Sequence, residues 1–311
     1  MARKPRIHYP GAVYHVIMRG NARQNIFFED ADRFRFYFLL QEGTERFGHR
    51  IHAFCLMSNH VHLAIQVSEV RLSRIIQNIS FRFTRWINWR RKRTGHLFQG
   101  RYKALLIDAD SYLSELVRYI HLNPVRAGIG SAPSDYPWTS HRAYIGLEPL
   151  PWVNTEWVLG FLGKDRERAQ ELYKQFILDG IDEGYKKEFH SGSIDGRILG
   201  EDSFADRVLT AAEKRDSAKF TIEVILEKVS REYGFDASVL VQKDKQRGPA
   251  EARALGAWLV RELTSLSLTD LGKAINRDVS SLSLAASRLQ TRAKNETRIA
   301  ELMEKLRREL T

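Results

Sequence analysis

Apolar and polar positions separate strands from helices along the first half of the chain. The run Ala12 to Met18 is β-branched and aromatic and closes on Arg19, Gly20 and Asn21, which predicts a strand followed by a turn. Between Asp30 and Phe47, Phe34, Tyr37 and Phe38 recur at helical spacing behind an acidic start of Glu29, Asp30 and Asp32. That pattern predicts a helix, and Gly48 can end it. Residues 51 to 67 divide at Ser58 and Asn59 into two strand-like runs, as in a hairpin. In the second run Val61, Leu63, Ile65 and Val67 take one face and His60, His62, Ala64 and Gln66 the other, because side chains alternate along a strand.

Residues 70 to 93 carry Ile75, Ile76, Ile79, Phe83, Trp86 and Ile87 as a helical stripe and end in Arg90, Arg91, Lys92 and Arg93. A basic loop runs from Gly95 to Lys103, and Ala104 to Ile107 predicts a further strand. Asp110 stands where it can cap a helix that turns Leu113, Leu116, Val117 and Ile120 inward until Pro124 stops it. The order strand, helix, strand, strand, helix, strand, helix predicts an α+β fold for residues 1–150. Residues 151–202 read as a connector, helical from Glu156 to Leu178, with Gly184 to Glu201 as a linker rich in Gly, Ser, Lys and Asp. Residues 203–311 read as a second, all-helical domain.

A length of 311 residues suits roughly two domains of about 150 residues. No apolar run approaches the about 20 residues that span a bilayer, so no membrane partner is expected. The start Met-Ala-Arg-Lys-Pro-Arg leads into Ile7, His8 and Tyr9 rather than an apolar signal core, and a cytoplasmic location is expected. The single cysteine, Cys55, excludes an internal disulfide and a cysteine-rich zinc site and reads as a strand core residue. His, Asp, Glu and Asn are left as metal ligands. The net charge of +11 points to a polyanionic partner.

Two histidines one residue apart on a strand point the same way, with Cα atoms about 6.5 to 7 Å apart, a span that one metal ion bridges. His60 and His62 meet that condition, and a third ligand is required. Tyr119 and Asn123, four residues apart, are expected to share one helix face, where the Asn123 amide oxygen can complete a His, His, Asn set. Tyr112 and Tyr102 are rival tyrosines; His15 reads as a packed or substrate-facing residue, and His121 is expected to point away from Tyr119.

The pairing of Ser-Asn-His-Val-His-Leu (58–63) with Tyr-Ile-His-Leu-Asn-Pro-Val-Arg-Ala-Gly (119–128) resembles the HUH-type single-tyrosine transposases, particularly the REP-associated tyrosine transposases of bacteria. The resemblance extends over about residues 9 to 145 and includes Tyr14-His15-Val16, Arg19-Gly20-Asn21 and Leu97-Phe98-Gln99-Gly100-Arg101-Tyr102. It implies a central antiparallel sheet flanked by helices, His60 and His62 as the paired metal ligands, and Tyr119 as nucleophile. Asn123 stands where other members place a Gln as third ligand. The implied activity is cleavage and rejoining of single-stranded DNA at hairpin, REP-like sequences through a 5′-phosphotyrosine, with Mg²⁺ or Mn²⁺ as cofactor. Manganese is expected to bind at least as well as magnesium, because imidazole ligands are softer than the all-oxygen shell magnesium prefers.

Arg82, Arg85, Arg90, Arg91, Lys92, Arg93, Arg101 and Lys103 concentrate positive charge, interleaved with Phe81, Trp86, Trp89, Phe98 and Tyr102. Cations track phosphates while exposed rings stack on unpaired bases, so these residues, with Arg19 and Asn21 in the first turn, are candidate DNA contacts. Phe83 and Trp86 are expected in the core.

From Gln246 to Leu289 the run with Arg247-Gly248-Pro249, Arg261 to Leu268 and Leu271 to Ala274 is similar to the DNA-binding domain of the bacterial replication initiator DnaA. That implies a helix-turn-helix with the helix from about Val279 in the major groove, and Arg247, Ser280 and Ser281 as contacts. The initiator's Arg-Asp-His-Thr-Thr signature stands here as Arg277-Asp278-Val279-Ser280-Ser281, a departure that bears on which duplex site is read. Taken together, the expected protein is a monomeric, nucleoid-associated bacterial nuclease and transposase. The alternatives are a repeat-hairpin binder or transcriptional regulator without turnover, and an RNA-processing enzyme that needs no tyrosine.

Overall fold

The computed structural model describes residues 7–217, 221–242, 246–263 and 266–310, without the side chains of 211–217, 263 and 310. The basic start Met1 to Arg6, and Thr264 and Ser265 of the initiator-like run, lie outside them. Two units result, Met1–Ala212 and Glu213–Thr311.

The first unit is built on β1 (Val13–Arg19), β2 (Arg50–Leu56), β3 (His60–Gln66), β4 (Lys103–Ile107) and a two-residue β5 (Ile198–Leu199). They form one sheet in the order β2-β3-β1-β4-β5, antiparallel except for the parallel β4–β5 pair. Around it stand α1 (Asp30–Phe47), α2 (Leu72–Arg90), α3 (Ala109–His121), the turns α4 (Asn123–Arg126) and α5 (His141–Tyr144), then α6 (Glu156–Leu162), α7 (Arg166–Leu178), the turn α8 (Glu188–Ser191) and α9 (Asp202–Ser217).

Both sheet faces are covered. Tyr37 of α1 meets Phe54 of β2 with ring centroids 4.9 Å apart, and Phe36 of α1 meets Phe83 of α2 at 5.0 Å, on the side of Leu63, the partner of Phe54. On the opposite side α3 brings Tyr119 within 6.2 Å of His62. Every residue from Val61 to Ile65 is therefore buried, although the alternation along β3 separates apolar from polar. Cys55, opposite His62 in the register, is buried as expected.

Several sequence expectations are corrected. Residues 151–202 are not a connector outside the folded unit: Val158, Tyr173, Phe189, Ile198 and Leu199 join the first unit's core, and the division falls at Ala212. The Gly and Asp content of 184–201 supplies left-handed turns at Gly192, Asp195 and Gly196 rather than a loose tether, and Phe189, Ile198 and Leu199 on either side of them are buried. The 156–178 helix is two helices, broken at Gly163. Asp108, not Asp110, occupies the α3 cap position, and Asp110 lies in the first turn. Pro124 does not end α3, which stops at His121; it sits near the start of α4, where its missing N–H costs nothing. Tyr119 and Asn123 thus stand on successive helices.

The second unit is helical among its described residues: α10 (Ile222–Tyr233), α11 (Arg247–Leu263), α12 (Leu268–Ala274), α13 (Val279–Arg292) and α14 (Thr297–Leu310). Its core gathers Ile225, Val229, Leu255, Leu259, Leu271, Leu282 and Leu289. Ser267 and Asp270 form a capping box that starts α12, and Asp278 caps α13 through the backbone N–H of Ser281 at 2.9 Å. A Cβ on Gly272 would stand 2.7 Å from the Arg277 carbonyl oxygen, so the α12–α13 turn closes only around glycine.

Candidate active site and nucleic-acid interface

The sheet register sets out the first half of the site. Ile17 pairs with His62 and Arg19 with His60, so β1 and β3 present His15, His60 and His62 on one face. His15 Nε2 lies 2.8 Å from His62 Nδ1, and the His60 and His62 rings meet edge to face at 5.0 Å. Across from them α3 buries Tyr119, only 4% exposed. The ring of Tyr119 lies between Phe189, 4.9 Å away, and the Arg126 guanidinium, 4.1 Å from its centroid.

The second half comes from the segment that the sequence read as linker. His190 of α8 places Nε2 at 2.6 Å from the Tyr119 hydroxyl, and its ring stacks on Tyr185 at 4.7 Å. The carbonyl of Phe189 lies 2.8 Å from His15 Nδ1. The segment is pinned to α3 next to Tyr119, because Arg118 bridges to Glu115 and Glu183, each at 2.7 Å, and Lys186 bridges to the same two carboxylates. Sequence reasoning missed His190: it has no partner at strand or helix spacing, and the ion pairs to α3 together with the pairing of β5 with β4 bring it round.

Burial keeps this histidine cluster neutral. His60 is pushed down to about 4 by burial, then by the charges of Arg19 and His190, and His62 goes well below its ordinary value for the same first reason. His190 falls to about 4 through burial and the nearby Lys103, Arg19 and Arg126. The Tyr119 phenol is raised by burial, against the lowering effect of Arg126. A neutral imidazole has one ring nitrogen that accepts, so with its proton on Nδ1 His190 accepts the Tyr119 hydroxyl hydrogen bond at Nε2.

The donor set suits a divalent cation. The Asn59 amide nitrogen donates to the Arg23 carbonyl at 3.1 Å, which turns its oxygen to His60 Nδ1 at 2.6 Å. His60 therefore carries its proton on Nδ1 and offers a lone pair on Nε2. Among the described residues neither His60 nor His62 uses Nε2 in a hydrogen bond. Asn123 donates its amide nitrogen to the carbonyls of Tyr119 and Ile120 at 3.0 and 3.3 Å, so only its oxygen is available as a ligand. No three His, Cys, Asp or Glu side chains among the described residues are gathered as a metal site. His121 is structural: it bonds Tyr173 and Ser140 at 2.5 and 2.6 Å, buried on the far side of α3.

The cations divide into two groups. Arg82 forms a two-pronged pair with Glu42 at 2.7 Å on both arms, Arg90 bridges to Glu29 and Asp32, and Arg91 to Glu29. These three fasten α2 to α1, a use of positive charge that the sequence reading did not anticipate. Arg19, Arg85, Lys92, Arg93, Arg101 and Lys103 have no carboxylate partner among the described residues. Beside Arg19, a cavity of about 470 Å³ opens between α2 and the 96–102 loop, lined by Gln77, Phe81, His96, Phe98, Arg101 and Tyr102 among others. Phe98 and Tyr102 are half-buried there, Phe81 and Trp89 are exposed, Phe83 is core and Trp86 is half-buried under Arg35 and Arg90. Asn21 lies exposed in the turn after β1. In the second unit Arg247, Ser280 and Ser281 are exposed, the two serines on the first turn of α13.

Comparison with known proteins follows this division. Residues 9–123 match the family described as transposase IS200 like, and residues 222–288 match the bacterial DnaA helix-turn-helix. The chain is similar to the chromosomal replication initiator protein DnaA of Lachnoclostridium phytofermentans, 35% identical over 86 residues, 27% of this chain and 18% of that protein. It is also similar to the same initiator of Ruegeria pomeroyi, 34% identical over 113 residues, 36% of this chain and 23% of that protein. The chain thus spans about a fifth of the length of these curated relatives. A solved structure of a REP-associated tyrosine transposase bound to a REP hairpin aligns with 50% of this chain and 92% of its own, at a TM-score of 0.42 and 19% identity.

Proposed function

We propose that this chain, whose residues 9–123 are an IS200-like transposase domain and residues 222–288 a DnaA-type helix-turn-helix, is a divalent-metal-dependent endonuclease and strand transferase of single-stranded DNA. The observation that carries this reading is the buried Tyr119, its hydroxyl hydrogen-bonded to His190, beside two neutral histidines whose Nε2 atoms are uncommitted. A divalent ion held by His60, His62 and the Asn123 oxygen would polarise the scissile phosphate and offset its charge.

The chain's own residues account for the rest. Tyr119 attacks phosphorus, the bond to the 3′ oxygen breaks, and the products are a 5′-phosphotyrosine and a free 3′-OH once that oxygen takes a proton. Phenol ionises near pH 10, so reaching the phenolate at pH 7 costs about 4 kcal/mol without help. In this reading His190 Nε2, hydrogen-bonded to the hydroxyl, takes its proton as the attack proceeds, and Arg126, over the ring, favours the negative oxygen. Because the bond energy stays in the tyrosyl link, another 3′-OH can reverse the step and join strands.

The proposed substrate is DNA that is single-stranded near the foot of a REP-like hairpin. Arg19, Arg101 and Lys103 track its phosphates, and Phe81, Phe98 and Tyr102 stack on bases at the cavity beside α2. The second unit is proposed to hold duplex DNA through α13. The first unit, with His190 in it, is the proposed nuclease domain and the second unit the proposed duplex-binding domain, and a monomer in the bacterial cytoplasm is the proposed form. The test is incubation with labelled hairpin oligonucleotides and Mn²⁺ or Mg²⁺. A denaturation-resistant adduct lost in Tyr119→Phe and His60→Ala supports the reading; binding without any adduct favours a non-catalytic repeat binder.

A further inference from the structure

The bond between His15 Nε2 and His62 Nδ1 has two proton arrangements, and by itself it does not say which nitrogen of His62 carries the hydrogen. The far side of His15 decides. Its Nδ1 lies 2.8 Å from the backbone carbonyl of Phe189, and a carbonyl only accepts, so the His15 proton sits on Nδ1. His15 Nε2 is then the acceptor, His62 Nδ1 the donor, and His62 Nε2 is left with its lone pair. The chain Phe189 C=O, His15, His62 is fully buried, with His15 at 0% and His62 at 2% exposure.

We propose that Phe189 and His15 are positioning residues for the metal site, with the Phe189 carbonyl fixing, through His15, the tautomer in which His62 presents Nε2 to a divalent cation. The argument rests on the reading of His60 and His62 as the metal pair. Neither Phe189 nor His15 touches the ion, so their effect is on how ready the site is.

Three features make the relay a built one. The carbonyl comes from α8, which is held on one side by the Arg118, Glu115, Glu183 and Lys186 cluster and on the other by β5 pairing with β4. The Phe189 ring is buried at 1% exposure against Tyr119 and His15, so the backbone at that point cannot drift. A Cβ on Gly180 would stand 2.7 Å from Arg118 Cδ, so the chain passes close over Arg118 on its way to α8. His60 reaches the same protonation pattern by a separate route, through Asn59, so the two ligands are set independently.

The test has two parts on the full-length protein. In metal-free protein with ¹⁵N-labelled histidine, long-range ¹H–¹⁵N correlation reads the tautomer of His62 directly: protonated Nδ1 and bare Nε2 are expected, and the reverse assignment overturns the proposal whatever the metal does. Mn²⁺ affinity is then measured by electron paramagnetic resonance or calorimetry in wild type, His60→Ala, His15→Phe and His15→Gln, with thermal unfolding as the fold control. Second-layer partners of metal-bound histidines are worth about 10- to 100-fold in affinity, so His15→Phe is expected to lose that much. His15→Gln, which keeps an acceptor near His62 Nδ1, is expected to recover most of it. Unchanged affinity in His15→Phe, or equal loss in both variants, overturns the relay. Absence of Mn²⁺ binding in wild type sinks the metal-pair reading instead, while the tautomer measurement still stands.

Discussion

The hydroxyl of Tyr119 lies 2.6 Å from Nε2 of His190, a residue 71 positions further along the chain. In Tyr119→Phe that hydrogen bond is lost at a buried site, with an expected cost of about 1 kcal/mol in stability and complete loss of the covalent DNA adduct. Tyr112→Phe, on the same helix and half-buried, is expected to keep the adduct. Denaturing gels with labelled hairpin DNA check both.

In the proposed mechanism His190 holds the reacting oxygen, so His190→Ala is expected to slow single-turnover adduct formation by about 100-fold, the scale of a small misplacement of a reacting group. DNA affinity should be unchanged, and His190→Gln, which keeps an acceptor, should lose less. Faster cleavage in His190→Ala would mean that α8 blocks the site rather than serving it.

The two classes of arginine should separate experimentally. Arg82→Ala breaks the pair with Glu42 and is expected to lower the unfolding midpoint with little change in DNA affinity. Arg101→Ala should leave stability alone and reduce the slope of log affinity against log salt by about 0.7, the share of one phosphate contact on single strands. Affinity titrations at several salt concentrations distinguish them.

Buried neutral histidines make the first unit acid-sensitive. His49, His52 and His141 are each lowered by burial to about 4, against 6.5 when unfolded. Between these values the unfolded chain binds more protons than the folded one, so stability is fully present above pH 6.5 and is lost as pH falls through 4. Thermal unfolding midpoints should fall steadily from pH 7 to pH 4.5, and a flat profile would contradict the burial.

In the second unit Gly272→Ala forces a Cβ against the Arg277 carbonyl oxygen. A cost of about 1–3 kcal/mol is expected, typical of overpacking, seen as loss of duplex DNA binding with the adduct chemistry of the first unit intact. Ser280→Ala and Ser281→Ala, both exposed, should weaken duplex binding without changing unfolding.

What the sequence by itself determined was local. Periodicity located β1, α1, the β2–β3 hairpin and β4 closely, and α2 and α3 apart from their ends, because each buries a stripe that its own spacing defines. Alternation along β3 put His60 and His62 together, and a family resemblance pointed to Tyr119. The tertiary structure decided what distant residues do for one another. Asp32 and Glu42 of α1 and Glu29 at its N-cap reach Arg82 and Arg90 of α2 and Arg91 at its C-cap only after the two helices pack, so a charge run that read as a phosphate track became in part a helix clamp. The stretch from Gly184 to Glu201 read as a linker because glycine and aspartate mark turns without saying whether a turn is tight or loose. Its few apolar residues are too short a run to carry a period, and their burial depends on the sheet edge at β4. That edge brings Phe189 and His190 beside His15 and Tyr119, and a contact of this kind has no signature in spacing because its two halves share no helix or strand.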